Sequence, residues 1–95
     1  MYRHIVFFRI KDECRDQIPA LAEAIRGMDG RIEGMASIQA GEDFLHSGRS
    51  CDLALVADFE TREAFDTYPD HPAHIPVKQR LVAASTGSAA CDYEY

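Results

Sequence analysis

No stretch of this chain is apolar for long enough to cross a bilayer: the longest mostly apolar runs span about five residues, against the roughly 20 a membrane helix needs. No run of Lys or Arg stands out from a composition of sixteen acidic and ten basic residues with a formal charge of −6. Nucleic acid and anionic membrane surfaces are therefore poor partners. The opening MYRHIVFFRIKDE turns charged after ten residues and has no small-residue cleavage site, so it reads as a strand and not as a signal peptide. Cysteine is scarce. Cys14, Cys51 and Cys91 are odd in number and lack CxxC spacing, which argues for a reduced, cytoplasmic protein and against a disulfide framework. Their strand-like settings make Cys51 and Cys91 core candidates rather than reactive thiols. A nucleophile elbow, a GxGxxG turn and a GxxxxGK phosphate loop are all missing. So are internal repeats, low-complexity tracts and linkers.

What remains is one domain of 95 residues, 46% of them apolar. A chain of this size hides only roughly 60–65% of its unfolded surface, so self-association is an economical way to hide more. Residues 3–10 are β-branched and aromatic and predict a strand. One face carries His4, Val6, Phe8 and Ile10, the other Arg3, Ile5, Phe7 and Arg9. Both faces are apolar at their centre. One layer of helices covers only one of them, and a partner subunit is the natural cover for the other. Ile18, Leu21, Ala22, Ile25 and Met28 repeat at 3.6 residues and predict a helix over 16–28, with Asp16 as N-cap and Pro19 in the first turn.

Residues 34–42 and 51–59 predict two further strands joined by a loop. Thr61 opens a second helix that must break near Pro69, where the proline ring clashes with the preceding turn. His71-Pro72 is expected to restart it with Pro72 in the first helical position, and Ile75, Val77, Leu81 and Val82 as its apolar side. Residues 87–95 supply a last strand. The order βαββαβ is the ferredoxin-like α+β plan, an antiparallel four-stranded sheet with its helices on one face. Its open face would display Ile5 and Phe7, and a homodimer formed through that face is expected.

The segment Tyr68-Pro69-Asp70-His71-Pro72-Ala73-His74 concentrates two of the four histidines at a helix break, where side chains and backbone donors can converge on a pocket. An imidazole beside a phenol is a serviceable acid/base pair at neutral pH. The same residues could instead only tie the break together. If the break packs over the start of the first strand, His4 and His74 line one cavity. A His71-x-x-His74 pair without a reinforcing Glu is a weak metal signal, and no metal site is expected.

Arg3-His4-Ile5-Val6-Phe7-Phe8-Arg9-Ile10, the strand Asp52–Phe59 and above all Tyr68-x-x-His71-Pro72-Ala73-His74 together resemble the stress-responsive dimeric α/β-barrel (Dabb) family, over essentially the whole of residues 1–95. The resemblance implies a subunit whose sheet pairs with a second sheet to make a dimeric barrel. It also implies a small-molecule pocket between sheet and helices, without a cofactor. One plant branch of that family is a polyketide cyclase, closing a linear poly-β-ketone by aldol condensation with a His–Tyr acid/base pair. The matching positions are His74, as the base that removes a proton alpha to a carbonyl, and Tyr68, which would orient it or donate to the enolate oxygen. His4 matches a pocket histidine, and Val6, Phe8 and His71 complete the expected binding set for a small apolar or aromatic ligand. The cyclase carries a further pocket histidine where this chain has Leu53. The resemblance therefore leaves three functions open: cofactor-free cyclase, isomerase or lyase chemistry; a non-catalytic, stress-related ligand-binding module; or a cofactor-independent monooxygenase.

Overall fold

The four strands β1 (Tyr2–Ile10), β2 (Met35–Glu42), β3 (Leu53–Phe59) and β4 (Ser85–Glu94) form one antiparallel sheet in the order β2-β3-β1-β4. The computed structural model describes all of residues 1–95. The most apolar strands, β1 and β3, take the centre, and register fixes which face each residue serves. Pairing of His4 with Ala57, Val6 with Leu55 and Phe8 with Leu53 puts those six on the helix side. Ile5, Phe7, Ala54 and Val56 go to the other side, joined from β4 by Ala89, Cys91 and Tyr93.

Three α-helices cover the first side: α1 (Ile18–Arg26), α2 (Arg62–Thr67) and α3 (Ile75–Ala84). The core lies between the layers, with Leu21, Ile25, Met28, Leu53 and Phe59 fully enclosed. The opposite face carries no layer, and Phe7 and Tyr93 are exposed on it. One polar knot interrupts that face. The Arg3 guanidinium donates to both oxygens of buried Asp58, at 2.8 and 3.0 Å, and the Ser37 hydroxyl donates to the same carboxylate. These bonds, the Arg3 contact foremost, hold the Asp58 carboxyl below the usual range against the opposing effect of burial.

The elements depart from the sequence reading at three places. Asp16 does not cap α1. It lies inside a 3-10 turn over Asp12–Gln17, and Gln17 already has helical φ and ψ when α1 begins at Ile18. The extended conformation an N-cap requires is thus not available there. The restart after the break comes at Ile75 and not at Pro72. A helix begun at Pro72 would need an N–H from Pro76 for the Pro72 carbonyl, and proline has none; begun at Ile75, the helix holds Pro76 in its first turn.

Finally, α3 offers the core a narrower face than expected. Leu81 and Ala84 are buried, but Ile75 and Val82 are exposed. Cys51 and Cys91 are also less enclosed than expected: Cys51 is half-buried, and Cys91, on the uncovered side of edge strand β4, is exposed.

Candidate functional site

The helix break shapes the site. The Thr61 hydroxyl accepts the Ala64 N–H at 3.1 Å and starts α2. Pro69 ends it, and a 3-10 turn over Tyr68–Asp70 turns the chain. The N–H groups of His74 and Ile75 both donate to the His71 carbonyl, at 2.9 and 3.1 Å, and redirect it into α3. The break lies over the central strand β1 and leaves a cavity of about 280 Å³. Its lining includes His4, Val6 and Phe8 from β1, Leu55 from β3, Phe65 and Tyr68 from the α2 side, and His74, Lys78 and Leu81 around α3.

Five of the six sequence-predicted site residues therefore meet: His74, Tyr68, His4, Val6 and Phe8. His71 does not. Its Nε2 donates to the Glu33 carboxylate at 3.0 Å while its Nδ1 accepts the Ala73 N–H at 3.0 Å. With both ring nitrogens occupied by the protein, His71 ties the break to the segment before β2 instead of binding a ligand.

The rings of Tyr68 and His74 are 4.1 Å apart between centroids, and His4 stands 5.8 Å from Tyr68. His74 Nδ1–H donates to the Pro69 carbonyl at 3.0 Å. A carbonyl only accepts, so the proton is on Nδ1 and Nε2 keeps its lone pair. Burial first, and the positive fields of Lys78 and His4 after it, lower the His74 pKa, opposed by the Pro69 bond and by Asp70. At neutral pH the ring is an uncharged base.

Tyr68 is buried, no protein group is hydrogen-bonded to its hydroxyl, and burial pushes its pKa up to about 12. At neutral pH it is an uncharged phenol with an uncommitted O–H, not a phenolate. Sequence reasoning missed two residues here. Asp92 of β4 sits directly across the strand pair from His4, and its carboxylate is hydrogen-bonded to His4 Nδ1, which leaves Nε2 as the other nitrogen of a cavity-lining ring. The second is Lys78, four residues after His74. Strand pairing identifies Asp92, and helix spacing from His74 was the available signal for Lys78.

A ferredoxin-like α+β subunit with a histidine–tyrosine cavity under a broken helix defines the class. The chain matches the model of the stress responsive A/B barrel domain, Dabb, over residues 2–95 and belongs to that family. Among solved structures it is similar to a dimeric protein of unknown function and ferredoxin-like fold from Bacteroides fragilis, with 25% identity, TM-score 0.86 and coverage of 99% of this chain and 95% of that one. It is likewise similar to a dimeric ferredoxin-like protein of unknown function from Thermobifida fusca, with 25% identity, TM-score 0.88 and coverage of 99% and 90%. A proposed antibiotic biosynthesis monooxygenase from Nitrosomonas europaea shares the fold at 12% identity and TM-score 0.79, covering 100% of this chain and 98% of that one. No curated protein sequence matches the chain.

Proposed function

We propose that this protein is a homodimeric, cofactor-free acid/base enzyme acting on a small carbonyl compound with an apolar or aromatic body. His74 Nε2 removes a proton alpha to the carbonyl, and the Tyr68 hydroxyl donates to the oxygen that gains charge as the enolate forms. The enolate then adds to a second carbonyl, as in a cyclase, or is reprotonated elsewhere, as in an isomerase. The observation that carries this reading is the His74 Nδ1–Pro69 bond, which fixes the tautomer whose Nε2 is basic. The orientation of a base by a hydrogen bond at its other nitrogen is what proton abstraction requires.

The homodimer is supported by the dimeric structural relatives and by the uncovered apolar side of the sheet, where Ile5, Phe7 and Val56 would meet a second copy and complete a barrel. Light scattering at micromolar concentration tests it, and a monomer there refutes the sheet-to-sheet model.

The test of the chemistry is deuterium uptake from D2O at the alpha carbon of simple aryl ketones such as 4-phenyl-2-butanone, followed by NMR. The native protein should accelerate uptake over buffer. His74→Ala should lower that acceleration by on the order of 10²-fold, the scale of acid/base groups. Full uptake by His74→Ala removes His74 from the role of base. Binding without uptake indicates a ligand-binding module, and activity on an aromatic substrate that vanishes without oxygen indicates a monooxygenase.

A further inference from the structure

We infer that the ligand of this cavity is a small carboxylic acid with an apolar or aromatic body, its carboxylate held by the Lys78 ammonium. This rests on reading the cavity as the reactive site and deepens that reading by naming the substrate class. The chain has sixteen acidic residues against ten basic ones, yet no Asp or Glu lines the cavity. Asp92 is bound to His4 and lines a different groove, with Tyr2 and Arg62, while Asp70 shares the neighbouring groove with Lys78 outside this lining.

Lys78 is the one lining residue with a permanent positive charge. It follows His74 by four positions, so the two side chains lie on the same side of α3. It forms no ion pair with any carboxylate of the chain. The remaining wall, with Val6, Leu55, Phe65 and Leu81, suits hydrocarbon, and about 280 Å³ accommodates one ring and a short chain. No guanidinium fork lines the cavity. A single ammonium on a flexible stem matches a carboxylate monoanion better than a phosphoryl group, which calls for several fixed donors. A carboxylate on Lys78 would bring the adjoining carbons of the ligand towards His74, one helical turn away.

The experiment is an amide-resolved NMR titration of the whole protein with 3-benzoylpropanoate and with its uncharged counterpart, 3-benzoylpropanamide. The acid should bind saturably, shifting Val6, Leu55 and Leu81, with a Kd about three-fold lower than that of the amide, the scale of an ion pair to an exposed lysine. Lys78→Met should abolish the preference and Lys78→Arg should keep most of it. Arg80→Gln, two positions further along the same helix and outside the lining, should leave it unchanged. Equal binding of acid and amide, an unaltered preference in Lys78→Met, or no saturable response to the acid overturns the inference. The two readings separate cleanly: acid preference with no deuterium uptake sinks the catalytic reading alone, and uptake with no acid preference sinks this one alone.

Discussion

Replacing Tyr68 by Phe should separate stability from chemistry. The phenol ring packs 5.0 Å from Phe59, 4.1 Å from His74 and 5.8 Å from His4 between centroids, and Phe keeps all three contacts. The hydroxyl has no protein hydrogen bond to lose. Burying a hydroxyl without a partner costs about 1–3 kcal/mol, and the small void that Phe leaves in place of the oxygen offsets part of the gain from removing it. Tyr68→Phe should therefore unfold with a free energy between unchanged and about 1 kcal/mol higher. In a domain of this size that is a Tm between unchanged and about 4–8 °C higher.

Tyr68→Ala, by contrast, removes the ring from a site where Tyr68 is 4% exposed and should cost about 3–5 kcal/mol. Thermal and urea unfolding followed by circular dichroism decide it, at one fixed protomer concentration, because dimerisation makes Tm concentration-dependent. The same Phe variant should lose deuterium uptake by about 10²-fold at every pH from 6 to 9, since a phenol with a pKa pushed to about 12 stays protonated throughout. A Phe variant destabilised by more than about 1 kcal/mol would show that the hydroxyl is a structural hydrogen-bonding group and refute the reasoning.

Three further outcomes follow from the geometry. Deuterium uptake should hold steady down to below pH 6.5 and fall only as pH drops through the lowered His74 pKa; because the folded state disfavours the charged ring, stability linked to His74 is present above the unfolded value and declines over the same window. A pH–stability curve that His74→Gln leaves unaltered contradicts this. Gly34→Ala should cost about 2–4 kcal/mol in urea unfolding, combining positive φ with overpacking, because a Cβ there would lie 2.5 Å from the Ala64 Cβ at φ +80°. Gly30→Ala, with φ +77° but open space around it, should cost only about 1 kcal/mol, and equal costs would mean that the contact with Ala64 is easily relieved.

Arg3→Met strands the buried Asp58 carboxylate and should lower the urea midpoint of unfolding at neutral pH. Asp58 has a depressed folded pKa, so its stabilisation is present above the unfolded pKa near 4 and is lost as pH falls through the folded value. A penalty for Arg3→Met that persists undiminished at pH 2 contradicts the ion-pair account.

Most of the fold was legible because local periodicity and punctuation carry it. The alternation of β1 and β3, the 3.6 repeat from Ile18 to Ile25 and the break at Pro69 are properties of neighbouring residues, and each recurs in the structure. The cap of α1 is not legible because a 3-10 turn runs directly into the helix, and the start of α3 is not because two prolines compete for it. Pro72 and Pro76 both suit a first turn, and Pro76, which has no N–H to give the Pro72 carbonyl, is the one the helix takes there.

The site was partly legible. Tyr68 and His74 announce themselves by their clustering at the break. Which of the two histidines there faces the cavity does not. His71 and His74 are three residues apart and chemically alike, but one turns to Glu33 and the other to the Pro69 carbonyl.

By itself, then, the sequence determines the order of strands and helices, the apolar face of each and the place where the helix must break, since these depend on side-chain chemistry within a few residues. Tertiary structure alone decides that His4 and Asp92, 88 residues apart, are joined, that Asp58 has Arg3 as its partner, and that His74, Tyr68 and Lys78 share one cavity. Strand register and the docking of the broken helix on the sheet set those proximities, and both are fixed by long-range packing that no local pattern encodes.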